Sequence, residues 1–349
     1  MTRTTVCAIA TTLALTCALA ISACAPKPAV VISAWPLANA ERTVTPPPQP
    51  PRWPLTGTVA PDKASTRVRT LSIKVENSPE ARPQTGLNSA DIVYETVVEG
   101  GITRFHLVFQ SKIPKIVGPV RSARLSDMWI VPQYHGVFFY SGASNSVTSR
   151  LRQAGLPDLS QDAGITYPYF RSSARAAPHN LYITMSKAFI EARRRKYDMS
   201  ITVPKLDFGV VGATSSAAAI KSVYVPLSSF NNVTWTYDKK RELFLRQNNH
   251  VVHRDAATGK QVAAKNVVVM WAEYTPASHD KLGSVTWDIK LGGSGRATVF
   301  REGRRYNATW SATRTQPPVF VGKNGRPIRL APGNTWFEVV PLDVNISMK

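Results

Sequence analysis

Cysteine is scarce in this chain. Its 349 residues hold three, Cys7, Cys17 and Cys24, all near the N-terminus. No pair lies beyond residue 24, so the fold that follows is held by its core rather than by internal cross-links. Acidic residues are also few: 22 Asp plus Glu stand against 43 Lys plus Arg, a formal net charge of +21. A surface this basic is drawn to polyanions. Beyond the N-terminus no apolar run approaches the roughly 20 residues of a membrane span. Familiar chemical signatures are missing too. There is no Gly-x-Ser-x-Gly elbow, no Walker loop and no His/Cys metal spacing. His250 and His253 would alternate faces in a strand, so the sequence points to no metal and to no cofactor.

The N-terminus is what the sequence has instead. Arg3 supplies a short basic region, Val6 to Leu19 an apolar one, and Ile21-Ser22-Ala23 small residues before Cys24. That is the layout of a secretory signal over 1–23. The cysteine directly after it suits lipid attachment, a thiol to alkylate beside a cleavable bond. Thr16 before Cys17 would cut the apolar region short, which makes Cys24 the preferred lipidation site. Removal of 1–23 takes away only Arg3 and leaves a net charge of +20. The expected location is therefore the extracytoplasmic face of the cell membrane, away from intracellular nucleic acid.

Residues 24–52 read as a tether, since Pro46-Pro47-Pro48-Gln49-Pro50-Pro51 favours extended polyproline II. A mixed α/β domain is expected over 53–208, a small-residue linker over 209–221, and a β-rich domain over 222–349. The fold class is thus α+β, with a mostly antiparallel second half. Its strands are predicted at Val233 to Tyr237, Leu243 to Arg246, Val267 to Trp271, Ala297 to Phe300, Tyr306 to Trp310 and Trp336 to Val340. Turn signals such as Glu302-Gly303 and Asn324-Gly325 punctuate them. In the first half, Leu71 to Glu76 and Val137 to Tyr140 read as strands and Ser186 to Tyr197 as a helix capped by Ser186.

Two runs of strand formers flank Gly100-Gly101, a two-residue hairpin signal. With those glycines as the turn, Glu95 would face His106 and Val97 would face Arg104. Glu95, Glu99, Arg104 and His106 would then share one polar face. The two glutamates would lie roughly 13 Å apart along the strand. That exceeds the ~5–9.5 Å of a glycosidase carboxylate pair, so they are no acid/base pair by themselves. Gly118-Pro119-Val120-Arg121-Ser122-Ala123-Arg124 places two arginines beside a helix start expected near Ser122, a setting for phosphate or carboxylate. His179 and Asn180 follow Pro178, which fixes the local backbone.

The chain resembles the YerB family of bacterial lipoproteins, a domain of unknown function with N- and C-terminal parts. The resemblance is carried by Pro54-Leu55-Thr56-Gly57, by Asn77 with Ala81-Arg82-Pro83-Gln84-Thr85-Gly86-Leu87, and by Ala90-Asp91-Ile92-Val93-Tyr94-Glu95. Glu99-Gly100-Gly101-Ile102-Thr103-Arg104-Phe105, the Gly118 to Arg124 motif and Ala177-Pro178-His179-Asn180-Leu181-Tyr182 extend it. Asn266-Val267-Val268-Val269, Gly293-Ser294-Gly295-Arg296 and Pro332-Gly333-Asn334-Thr335-Trp336 complete it in the second half. It implies a two-part extracytoplasmic lipoprotein and supplies no activity. His106 falls outside these motifs, which lowers its standing as a site residue.

Three functions remain open. The first is binding of an anionic cell-wall polymer or lipid headgroup through Arg104, Arg121 and Arg124, with His179 and Asn180 completing the pocket. The second is a structural or protein-partner role for the β-rich half, with the charged motifs as internal ion pairs. The third is hydrolysis or transfer on wall glycan or a phosphodiester polymer, with Glu95, Glu99 and His179 as catalytic candidates. No nucleophile or correctly spaced carboxylate pair stands out, which favours binding over catalysis.

Overall fold

The computed structural model describes residues 49–211, 217–279 and 283–349. Cys24, the segment 1–23 and most of the tether lie outside the described residues. Within 49–349 the chain forms one compact unit. Its backbone is a large mixed sheet to which both halves contribute. Strands β1 (Leu71–Glu76), β2 (Ile92–Val97) and β3 (Thr103–Phe109) come from the first half. Asn266–Trp271, Gly293–Arg301, Arg304–Ala312, Val319–Val321 and Thr335–Val340 come from the second. The halves meet where β2 pairs in parallel with Thr335–Val340, aligning Val93 with Trp336 and Glu95 with Glu338. The second-half pairings are mostly antiparallel, so the α+β class holds, and each strand predicted there is present. The three α-helices among the described residues, α1 (Asp127–Gln133), α2 (Asn145–Gln153) and α3 (Met185–Arg194), all belong to the first half.

A six-stranded sheet built around Ser222–Pro226, Asn232–Asp238 and Leu243–Asn248 covers one face of β1, β2 and β3. Ile73, Val93, Phe105 and Leu107 meet Val223, Trp235 and Phe244 there in one core. On the other face Ile92, Tyr94 and Val108 pack with α1 through Ile130 and with Tyr134. Both faces of the hairpin are therefore buried, and every residue of β2 and β3 is buried or nearly so.

The hairpin register differs from the sequence expectation by one residue. Tyr94 faces His106, Glu95 faces Phe105, Thr96 faces Arg104 and Val97 faces Thr103. The reason is the turn. Glu99–Gly101 makes a short 3-10 turn, with Gly100 and Gly101 at φ of 66° and 69°, closed by the Val98 N–H on the Ile102 carbonyl at 2.8 Å. A loop of the second half grips it. Ser228 Oγ donates to the Gly101 carbonyl, and the Phe230 ring fills the space where a Gly101 side chain would stand. Five residues rather than an even number then separate the last pair, and a one-residue slip sends alternate side chains to the opposite face. Glu95 thus points away from Arg104 and His106.

Glu95 instead enters a closed circuit of hydrogen bonds between the sheets. Arg246 Nη2 donates to Glu95 Oε2 at 2.5 Å, and Asn77 Nδ2 donates to Glu95 Oε1 at 3.0 Å. Gln84 Nε2 donates to Asn77 Oδ1 at 3.0 Å, and His253 Nε2 meets Gln84 Oε1 at 2.6 Å. Arg246 Nη1 closes the ring on His253 Nδ1. A guanidinium only donates, so Nδ1 accepts and Nε2 carries the proton. Burial first, then the charges of Arg246 and Arg82, keep His253 neutral by lowering its pKa well below the ordinary value. The guanidinium is caged by Phe105, Trp235 and Trp336, whose ring centres lie 5.4, 5.9 and 5.3 Å away. Burial and the neighbouring Glu95 charge raise the Glu338 carboxyl well above the usual range.

Arg246 and Glu95 are both fully buried, and removing one partner of such a pair leaves the other charge stranded. Arg246→Met should cost about 3–5 kcal/mol in a urea denaturation series. A loss below about 1 kcal/mol would show that the circuit carries no weight.

Candidate functional site

The site is built on the other face of the same hairpin. Register partners share a face, so Lys74 of β1 lies beside His106 of β3, and Glu76 lies beside Arg104. Between β1 and α1 the chain does not become helical at Ser122. It runs extended across the sheet: the Arg121 N–H donates to the Lys74 carbonyl at 2.9 Å and the Ala123 N–H to the Gly142 carbonyl at 2.9 Å. Backbone pairing with two neighbours outcompetes the local helix, which starts only at Asp127. Asp127 Oδ2 then accepts the Arg124 N–H at 2.7 Å and fixes the turn.

Beneath that turn lies a fully buried triad. Asp127 Oδ1 accepts from Lys74 Nζ at 2.8 Å and from His106 Nδ1 at 2.9 Å. Burial opposes the charge on Asp127, but Lys74 and His106 hold its carboxyl well below the usual range. Burial lowers the pKa of Lys74 and of His106, with Asp127 opposing in each case. The triad neutralises itself and locks the floor of the site to the sheet.

Above the floor is an open cleft of about 420 Å³ lined by Glu99, Arg104, Arg121, Ser122, Arg124 and Thr286 among others. Arg124 Nε donates to Glu99 Oε2 at 2.6 Å, and Thr286 Oγ1 donates to Glu99 Oε1 at 3.0 Å. Arg121 Nε stands 3.0 Å from Glu76 Oε1, and His179 Nδ1 lies 3.1 Å from Glu76 Oε2. Burial would raise the Glu99 carboxyl, yet Arg124 and Arg104 hold it below the usual range. Arg104 has no carboxylate of its own. It is 6% exposed, its Nη1 donates to the Ser122 carbonyl at 3.0 Å, and its Nε meets no acceptor among the described residues. Burial first, then the like charge of Arg124, lower its pKa well below that of an ordinary guanidinium. Three arginines thus converge on two carboxylates.

Both models of the DUF3048 family match this chain. The one described as "Protein of unknown function (DUF3048) N-terminal domain" covers residues 55–198, and its C-terminal counterpart covers 223–337. The chain belongs to the DUF3048 family. A relative from Bacillus subtilis, "Putative lipoprotein YerB", is 31% identical over 294 residues, covering 82% of this chain and 86% of the relative. The crystal structure of the YerB protein from Bacillus subtilis superposes with a TM-score of 0.74 at 31% identity. It covers 85% of this chain and 99% of that one. The buried circuit joins the two DUF3048 parts, since Asn77, Gln84 and Glu95 fall in the first matched segment and Arg246 and His253 in the second.

Measured against the sequence expectations, Glu99, Arg104, Arg121 and Arg124 do share one site, and His179 reaches its edge through Glu76. Glu95 does not share it: the register slip puts it, buried, on the opposite face. Asn180 is also turned away. It accepts from Arg171 at 2.9 Å and donates to the Ser172 carbonyl at 3.1 Å, bracing its own loop. Lys74 and Thr286 carried no signal of their own, whereas Asp127, three residues after the second arginine, was legible as a carboxylate partner for that motif, a spacing that suits receipt of the Arg124 N–H.

The depressed histidines give a pH dependence. Below about pH 6.5 the unfolded chain binds protons that the folded His106 refuses, so stability falls as pH falls, by about 1.4 kcal/mol per pH unit for each such histidine. His106→Asn should flatten the curve of unfolding free energy against pH by about that slope between pH 6.5 and 5. Parallel curves for the two proteins would mean that His106 is protonated in the fold.

Proposed function

We propose that this chain is an extracytoplasmic lipoprotein, anchored through Cys24, that binds an anionic ligand of the cell envelope in the arginine cleft. The observation that carries the reading is Arg104, a nearly buried cation left without a carboxylate in an open cleft lined by Arg104, Arg121 and Arg124 against the single carboxylate of Glu99. Buried charge is expensive unless matched, and an incoming anion would match it. The net charge of +21 favours encounter with envelope polyanions. The name of the Bacillus relative and the leader-plus-cysteine pattern support the anchor.

A second reading is a closed ion-pair scaffold, because Arg121 and Arg124 already hold Glu76 and Glu99. The two differ in what the acids do. In a binding site Glu99 competes with the ligand for Arg124. Glu99→Gln should therefore tighten binding of purified cell-wall polymers by about fivefold, the worth of ~1 kcal/mol of released charge. Arg121→Ala/Arg124→Ala, checked for folding, should weaken binding at moderate salt by at least about tenfold. Equal, salt-labile binding by all three proteins would favour the scaffold, with the surface charge as general envelope bias. Loss of function in Glu99→Gln without loss of folding would favour an enzyme.

A further inference from the structure

We infer that the second half carries a pocket of its own, for a sugar unit bearing an acidic group. The pocket shares no lining residue with the arginine cleft, and the inference does not depend on that site. It uses a motif that the proposed function leaves idle, Gly293-Ser294-Gly295-Arg296. The cavity measures about 530 Å³, within the range of small-ligand sites. One wall is the face of the large sheet. Arg296 aligns with Thr309, and Thr298 with Asn307, across the strands Gly293–Arg301 and Arg304–Ala312. Register partners share a face. Val269 aligns with Thr298, so Trp271, two residues further on, lies on that face too. The C-terminal tail supplies the other wall through Asn345, Ile346 and Met348.

Both walls are held through Trp271. Its ring N–H donates to the Val344 carbonyl at 2.7 Å, which fixes the tail. Its own carbonyl accepts from Trp310 Nε1 at 3.0 Å. Gly295 permits that bond, since a Cβ there would stand 2.7 Å from Trp310 Nε1 and 2.9 Å from the Trp271 oxygen. Arg296 then lies over the Trp271 ring, 3.9 Å from its centre. A guanidinium laid on an indole is oriented through its face and keeps its edge donors for a planar or tetrahedral anion. Arg296 makes no hydrogen bond or ion pair among the described residues, so those donors are available.

The lining selects the class of ligand. Thr298, Thr309, Asn307 and Asn345 present hydroxyls and amides, which both donate and accept, as sugar hydroxyls do. Ile346 and Met348 add apolar surface suited to the C–H face of a sugar ring. Arg296 and Lys323 line the same space, and no carboxylate does among the described residues. A neutral sugar would leave the two cations unmatched, and a bare polyanion would leave the amides and hydroxyls idle. An acidic sugar uses both sets.

The test measures binding to the full-length protein at about 0.15 M salt, with three probes: an oligogalacturonate, a neutral cello-oligosaccharide of equal length and poly-glutamate of equal charge. The oligogalacturonate should bind at least about tenfold more tightly than either of the others. Arg296→Gln should weaken it about tenfold, and Asn307→Ala, at an exposed position, about fivefold. Arg296→Lys, which keeps the charge and loses the planar fork, should not restore it. Arg121→Ala/Arg124→Ala should bind like the unaltered protein. Equal binding of poly-glutamate would overturn the sugar in favour of acidic peptide or unselective attraction, and equal binding of the neutral glycan would overturn the acidic group. Loss in Arg121→Ala/Arg124→Ala with none in Arg296→Gln would assign the sugar to the arginine cleft and overturn this pocket while that site stands. Binding of none of the three probes would overturn the inference.

Discussion

A fully buried guanidinium is the constraint on which this structure turns. Arg246 lies between two sheets, inside a cage of three aromatic rings, with Glu95 as its counter-ion. An isolated charge there would be untenable. The circuit through Asn77, Gln84 and His253 ties both Nη groups of Arg246 into a closed ring of donors and acceptors. It also explains why the two matched parts form one unit. Neither could bury its share of these groups without the other, and the parallel pairing of β2 with Thr335–Val340 places Glu95 and Glu338 side by side beneath them.

The same hairpin carries charge on its opposite face, and there the balance differs. The triad of Lys74, Asp127 and His106 pairs its charges internally, while Arg104 in the cleft above it pairs with no carboxylate. On one face the buried guanidinium has a carboxylate counter-ion, and on the other the guanidinium of Arg104 opens on a cleft without one. This contrast separates scaffolding from site more sharply than the residue types do, since both faces use arginine, glutamate and histidine.

The elements were legible in the sequence wherever periodicity and turn residues agreed. The strands from Val233 to Val340 fell where alternation placed them, and Glu302-Gly303 turns with φ of 51° and 66°. The register of the central hairpin was not legible, because Gly100 and Gly101 fit an even or an odd loop equally well and Ser228 and Phe230 choose between them from 127 residues or more away. The arginines of the cleft were legible as a motif, but their extended backbone was not, since it depends on Lys74 and Gly142 carbonyls. Arg246 and His253 were invisible as a pair. Leu243 to Arg246 read as a strand with no sign of which side is covered, and only the packing of one sheet on another turns Arg246 inward.

The most direct test of the account is an NMR titration that follows the arginine side-chain Nε–Hε resonances as a cell-wall polymer is added. The account predicts saturable shifts for Arg104, Arg121 and Arg124, with Arg246 unmoved in its cage. Shifts confined to exposed arginines such as Arg193 and Arg194, with Arg104 silent throughout, would contradict it.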